Sequence, residues 1–421
     1  MQGASQLLGF RQRDMRLKWK HLRHPLRTAI LAGRVAAMHL DLRRFGNSSR
    51  RHFRGDPRFD LENVSHGFAP RVSDLIDDDP QVLERICASY NKAVRDSQDA
   101  PKAFQSTDWW QQIRQERLGP VMRALETCDI LTLGGMYRNF FRDVCSTGLI
   151  SVPYGMTSAF FGGNMRDIHR RYYLGDALYR IDHWATQTDS RFALRDLTGP
   201  EIGNPFGILI DGTLVRTGSP YQHYCALRIR EHLASDADTV AEIGGGYGGM
   251  AYYLLRDHAG VKYLNFDVPE SIALASYYLL KAFPHLNLLL YGEKEIARAD
   301  VVLLPLFEME KVQHESIDIT FSSHAMSDLS DKSMSDYLKV IARFTKSCFF
   351  YIGNRRAAES ISNLAAQKRY PYRLVETRTS GWHAHTHSDA SEIECLYRVS
   401  GHVRTTVEYA GSGLAQATRI L

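Results

Sequence analysis

Cysteine is scarce in this chain and never paired along it. The six, Cys87, Cys128, Cys145, Cys225, Cys348 and Cys395, are scattered through 421 residues, and no C-x-x-C occurs. That spacing excludes a disulfide framework and a zinc ribbon or knuckle, and the cysteines read as small core hydrophobes. Long apolar runs are missing too. The stretch TAILAGRVAAMHL is broken by Arg34. It is too short and too charged to span a bilayer, and it has no signal-cleavage pattern. A cytoplasmic protein is expected. Internal repeats and low-complexity tracts are also lacking. With 44% hydrophobic and 24% charged residues, the composition is that of an ordinary soluble chain, long enough for two or three domains.

Acids are nearly absent from one segment. Residues 11–54 hold 13 Lys/Arg against Asp14 and Asp41, a net +11, which leaves about −6 for the rest of a chain whose total is +5. Within it, Leu26, Ile30, Leu31, Val35, Met38 and Leu42 recur close to a helical period. A basic amphipathic helix of this kind is expected either at an anionic membrane surface, here the inner face, or packed on its own domain or a second subunit in a homo-oligomer. Nucleic-acid binding is not expected, because the arm lacks a binding-motif spacing and the remainder is acidic.

Four segments follow from composition and pattern. Residues 1–55 are the basic arm. Residues 56–195 read as a mainly helical substrate or oligomerisation region. Asp77, Asp78 and Asp79 before Pro80 mark the start of a helix in PQVLERICASYNKAV. DWWQQIRQERLGPVMRALE is a helix interrupted at Gly119 and Pro120, MYRNFFRDVC and RDIHRRYYLGDALYRIDHWATQ are helical, and SVPYGMTSAFFGGNM is a loop. Residues 196–238 are a linker and lead-in helix. The linker is dense in Gly and Pro, and it contains a candidate hairpin, GILI-DG-TLVR, turning at Asp211 and Gly212. Residues 239–421 alternate strands with helices. Candidate strands are Thr239–Ile243, Lys262–Phe266, Asn287–Tyr291, Val301–Leu304, Asp318–Ser322, Cys348–Ile352, Tyr372–Glu376 and Glu394–Val399. Apolar runs alternating with helices imply parallel strands covered on both faces. Either LNLLLY or VVLLP is the third strand and the other is an insertion.

Glycine is concentrated in one place. VAEIGGGYGGM, residues 240–250, carries five glycines in six positions directly after a strand and before the helix MAYYLLRDH. A first strand-to-helix turn of this kind lies where ligands bind in such sheets. Gly244, Gly245, Gly246, Tyr247 and Gly248 are therefore candidate cofactor contacts. Asp267, 23 residues after Gly244, ends the next strand and suits the hydroxyls of an adenosine ribose, with Val268 beside it. The spacing alone fits NAD and S-adenosylmethionine alike. Two features favour the latter. Glu242, two residues before the first glycine, suits the ammonium of a methionine moiety, and the unit begins late in the chain rather than opening it.

VAEIGGGYGGMAYYL, followed by YLNFDVPESIALASYYL and DITFSSHAMSDL, resembles the class I S-adenosylmethionine-dependent methyltransferases. With EIGNPFGILIDG upstream, and more loosely FQSTDWWQQI and MYRNFFRDV, it resembles the sugar O-methyltransferase family over roughly residues 105–400. The resemblance implies a Rossmann-like α/β fold, a mostly parallel sheet of seven strands preceded by a helical region. It implies S-adenosyl-L-methionine as cofactor, with Glu242, Gly244, Gly246 and Gly248 along the methionine part and Asp267 on the ribose. It further implies methyl transfer to a hydroxyl of a sugar or glycan, such as surface polysaccharide. Members of the class often place an acid after the third strand, near the adenine. Here the candidate is Glu293 after LLLYG, or none after VVLLP, and the adenine contact stays unassigned.

A sugar hydroxyl is a poor nucleophile, so a general base is expected at the carboxyl ends of the central strands. His324 follows IDITFSS, and Asp328 would orient its ring if a helix began there. His383 is a second candidate base, with Trp382 as a stacking platform for the sugar. His383, His385 and His387 alternate, but Gly381 marks a loop, so no metal is assigned. After the fifth strand, Asn354 and Arg355 are candidate substrate contacts, Arg355 for a phosphate or carboxylate. The alternatives are an NAD-dependent oxidoreductase on the same fold, or O-methylation of a non-sugar natural product.

Overall fold

The computed structural model describes residues 25–71, 79–152, 156–162, 165–235, 237–294, 299–385 and 392–399. Residues 11–24 of the basic arm, Asp77, Asp78 and His387 lie outside the described residues. The helices, in chain order, are α1 Pro25–His52, α2 Leu61–Gly67, α3 Pro80–Asp96, α4 Asp108–Ile113, α5 Gly119–Thr127, α6 Ile130–Arg138, α7 Thr157–Phe161, α8 Asp167–Gln187, α9 Ser219–Arg230, α10 Gly249–Asp257, α11 Pro269–Ala282, α12 Asp331–Phe344 and α13 Arg355–Gln367. The strands are β1 Ile208–Ile210, β2 Thr213–Val215, β3 Thr239–Ile243, β4 Lys262–Asp267, β5 Leu288–Leu290, β6 Val301–Pro305, β7 Ile317–Ser323, β8 Thr345–Asn354, β9 Tyr372–Thr379 and β10 Glu392–Val399.

The chain divides into two units, one of Met1–Leu75, Glu116–Leu118 and Arg138–Tyr221, the other of Ile76–Gln115, Gly119–Tyr137 and Gln222–Leu421. This division differs from the boundaries read off the sequence, because α3, α5 and α6 go with the sheet. α3 packs on α11, and Phe104 stacks on Tyr337 of α12 at 5.0 Å.

In the first unit α1 lies along α8. Leu42, Gly46, Ser49 and Phe53, spaced at helical intervals, are buried. Phe45 meets Tyr172 with ring centroids 4.9 Å apart, and Phe53 meets Tyr179 at 4.9 Å. The apolar face of the arm between residues 42 and 53 is therefore spent on its own unit, the second of the two placements expected for that stretch. No helix among the described residues is long and apolar enough to cross a membrane. The hairpin is as expected: β1 and β2 pair antiparallel, and Asp211 and Gly212 take φ of 47° and 76°, the two left-handed positions of a type I′ turn.

Three helical expectations change. The interruption at Gly119–Pro120 is absorbed by a π turn at Arg114–Leu118, so the chain stays helical into α5. The wide turn precedes a proline whose missing N–H leaves the Glu116 carbonyl without its α-helical donor. MYRNFFRDVC is not one helix, for α6 ends at Arg138 and 3₁₀ turns follow at Phe140–Arg142 and Val144–Ser146. Asp143 accepts from the Cys145 amide at 2.8 Å, the local side-chain bond that competes with an α-helix. SVPYGMTSAFFGGNM contains the short helix α7 rather than loop alone.

The second unit holds an eight-stranded sheet of order β5-β6-β4-β3-β7-β8-β10-β9, not the seven strands expected. Both disputed segments are strands. VVLLP pairs parallel with β4, and LLL lies outside it at the edge. Neighbours are parallel except at β10, which runs antiparallel to β8 and β9. Ala241, Ile243, Leu264, Phe266, Val302 and Leu304 alternate along their strands into one core with Leu338 and Ile341 of α12 and Ile361 of α13. The opposite positions, Glu242 against Asn265 and Val240 against Tyr263, form a second, more polar face.

Candidate active site

The strand order reverses between β3 and β7, so their carboxyl ends form the switch point of the sheet. The glycine turn leaves β3 there. Gly244, Gly246 and Gly248 take φ of 78°, 59° and 88°. A Cβ on Gly244 would come 2.1 Å from the Ala325 Cβ, so only glycine lets the loop after β7 approach. That approach sets His324, the neighbour of Ala325, beside the turn.

Asp267 ends β4 and is 9% exposed. Its carboxylate accepts from the Gly246 amide at 2.8 Å and the Val268 amide at 2.7 Å. Gly245 donates to Asn265 Oδ1 at 3.2 Å. The acid at the end of β4 thus holds the shape of the glycine turn. Burial pushes its carboxyl up to about 7, although the two amides pull it down. Tyr247 is buried, and its hydroxyl donates to Gln222 Oε1 at 3.0 Å.

Glu242 is placed otherwise than expected. It is 3% exposed, and its Oε2 accepts the Tyr263 hydroxyl at 2.5 Å, whereas the turn amides of Gly245 and Gly246 go to Asn265 and Asp267. Burial pushes its carboxyl up to about 7, with the nearby Asp267 adding to the effect and the Tyr263 bond opposing it. Glu293, the candidate for the adenine, is committed to the edge of the sheet. It pairs with Arg85 and accepts from the Leu290 amide at 2.8 Å. The acid that does follow the strand next to β4 is Glu308, 1% exposed and bonded to Lys311 Nζ at 2.6 Å.

His324 stands at φ 61°, a left-handed conformation uncommon for a residue with a side chain. Its amide donates to the Ile352 carbonyl at 2.8 Å. Its Nε2 lies 2.8 Å from Glu392 Oε1, and the side chain is 45% exposed. The helix that would have let Asp328 orient it does not begin here, although the two side chains are near enough for His324 to oppose the burial-driven rise of the Asp328 carboxyl. Residues 325–328 form a turn, and the next helix starts later, capped by Ser330. The orienting acid is Glu392, which the sequence reading missed. Its carboxylate also accepts from Ser380 Oγ at 2.7 Å and lies 3.4 Å from His383 Nδ1. Burial alone would raise its carboxyl, but the bonds from His324 and His383 hold it far below the usual carboxylate range. The two imidazole centroids are 6.4 Å apart. The signal was there in the strand EIECLYRV, whose acids at 392 and 394 share one face and are both buried.

The substrate candidates separate. Trp382 is 1% exposed and packs against Tyr224 at 5.2 Å, so it is a core residue and not a sugar platform. Asn354 caps α13, accepting from the Ala357 amide at 2.8 Å, and donates to the Ser327 carbonyl at 3.3 Å, a structural role. Arg355 is exposed on the first turn of α13. Among the described residues no group of three His, Cys, Asp or Glu is arranged to hold a metal ion.

No protein-family model matches the chain, and no curated protein matches it. Solved structures do. A chain of the complex between the Haloferax volcanii Trm112 methyltransferase activator and a methyltransferase is 13% identical over 43% of this chain and 91% of its own, with a TM-score of 0.31. A SAM-dependent methyltransferase from Aquifex aeolicus is 13% identical over 41% of this chain and 88% of its own, with a TM-score of 0.30. Geranyl diphosphate C-methyltransferase from Streptomyces coelicolor A3(2) is 9% identical over 42% and 75%, with a TM-score of 0.31. The α/β fold, a mainly parallel sheet with a helical region before it, stands on its own strand order.

Proposed function

We propose that the chain is an S-adenosylmethionine-dependent O-methyltransferase acting on a sugar hydroxyl. The observation that carries the reading is the meeting, at one switch point, of a glycine turn tethered by Asp267 and a histidine backed by a buried carboxylate. An adenosine-bearing cofactor fits these residues. Gly244, Gly246 and Gly248 leave the backbone bare, and Asp267 ends β4 beside the turn with its carboxylate already oriented by two amides. The antiparallel β10 between β8 and β9 has no counterpart in the dinucleotide-binding order, which supports the methyl-transfer reading over hydride transfer.

The cofactor, when bound, would supply an electrophilic methyl group on a sulfonium, whose sulfur keeps the pair of the broken sulfur–methyl bond and leaves as the neutral thioether. The chain's own task is to align the acceptor oxygen and remove its proton. With Nε2–H donated to Glu392, the basic lone pair of His324 is on Nδ1, and that atom receives the hydroxyl proton as the oxygen–carbon bond forms. Glu392 then stabilises the imidazolium. His383, on the same carboxylate, is the second proton acceptor of the site.

The test is thermal stabilisation by S-adenosylhomocysteine set against NADH. The homocysteine compound is expected to raise Tm and NADH to leave it unchanged, and the reverse result rejects the reading. His324→Ala should retain that shift and lose about 10²–10⁴-fold in kcat.

A further inference from the structure

We propose a second ligand site in the first unit, on the seam of α1 and α8, that takes the diphosphate group of a soluble small molecule. A cavity of about 260 Å³ opens there, lined by His39, Arg43, Asn47, Arg166 and Arg171, with Leu42, Gly46 and Ile168 as its apolar remainder. Among the described residues the lining holds three arginines and no acid.

The charge is uncompensated. Arg43, Arg166 and Arg171 make no ion pair with any described residue. Arg44 is paired with Asp41 at 3.8 Å and Arg170 with Asp167 at 3.4 Å, which engages the two acids nearest in sequence. Converging cations repel one another, and a cavity that gathers three without a counter-charge is built for an anion. The field is felt at His39, whose imidazole is held below its ordinary range by burial and then by Arg166 and Arg43. The same lining includes Arg166 and Ile168 at the first turn of a 21-residue helix, where the Arg166 amide donates to His169 Nδ1 at 3.3 Å and the His169 amide to the Arg166 carbonyl at 2.8 Å, leaving those of Asp167 and Ile168 as the helix's leading donors.

The chemistry narrows the ligand. Guanidinium forks match phosphate oxygens in pairs, and three of them balance the two to three negative charges of a diphosphate better than one carboxylate. Sugar nucleotides and nucleoside diphosphates present this group in soluble form. An anionic lipid surface offers phosphate too, but Leu42, Gly46 and Ser49, beside the cavity on α1, are buried within their own unit.

Calorimetric titration of the whole chain with inorganic pyrophosphate, and separately with a nucleoside diphosphate, tests the site. Saturable binding of both is expected. The exposed Arg43→Glu and Arg166→Glu should each weaken it at least tenfold while matching the parent in ligand-free Tm, and Arg43→Gln serves where charge reversal impairs folding. Sedimentation with phosphatidylcholine vesicles containing phosphatidic acid tests the membrane source. No binding of pyrophosphate, unweakened binding in the variants, or vesicle binding without binding of free pyrophosphate would each overturn the proposal.

Discussion

At Gly244 two constraints meet in one residue. Its φ of 78° is left-handed, and a Cβ would strike the Ala325 Cβ at 2.1 Å. Gly244→Ala should cost roughly 1–3 kcal/mol. It should also lower S-adenosylhomocysteine affinity, because the turn and the His324 loop have to part. Paired melts with and without the ligand check this, and an unchanged ligand shift would speak against the close packing of turn and loop. Glu242 and Asp267 carry a different consequence. Both hold their proton to about 7 in the folded chain, against ordinary values of 4.5 and 3.8. Between those values the folded state binds more protons than the unfolded, so their contribution falls as pH rises and levels off above 7. His39, His169 and His232, all held below the ordinary imidazole value, act in the opposite direction. The comparison that isolates the carboxylate is therefore parent against Glu242→Gln in urea at pH 5 and pH 8. The parent should lose more stability across that range, by up to roughly 3 kcal/mol, and equal slopes would contradict it.

At the scale of elements, α4 is docked by one buried acid. Glu270, at the start of α11, accepts from Trp110 Nε1 at 2.5 Å and from Arg114 Nε at 2.5 Å, with side-chain exposures of 3% for the acid and 19% for the arginine. Removing one partner of such a pair leaves a charge stranded out of water, whereas replacing both is far milder. Arg114→Met should destabilise by about 3–5 kcal/mol, and Arg114→Met with Glu270→Met should recover most of it. Urea unfolding of the two variants measures this. A loss below about 1 kcal/mol in the single variant would mean the pair is solvated.

At the scale of the molecule, the sheet does not stand alone. Helices from residues 76–137 cover it: Arg85 pairs with Glu293, α3 packs on α11, and Tyr137 meets Tyr277 at 5.1 Å. A fragment of residues 239–421 is expected to lack cooperative unfolding and a near-ultraviolet circular dichroism signal, because the apolar surface under α3 would be exposed. A sharp thermal transition in that fragment would show that the sheet and its own helices suffice.

What the residues determined by themselves is local and periodic. Every strand segment was marked, because apolar runs between helices have a short-range signature, but one of LNLLLY and VVLLP was expected to be an insertion and both are strands; the hairpin at Asp211–Gly212 and the turn–acid pair of Gly244 to Asp267 were legible too. Local competition already blurred the reading at Asn139–Asp143 and before Pro120, where 3₁₀ and π turns displaced an α-helix. Only the tertiary structure decided which acid serves His324. Asp328 is four residues away in the chain, yet the imidazole turns to Glu392, 68 positions on. The cause is the direction of one strand. Because β10 runs antiparallel, its first residue, not its last, reaches the carboxyl end of β8, opposite Asn354. Strand direction leaves no mark on a period-two pattern, so no reading of EIECLYRV alone places that carboxylate beside the glycine turn.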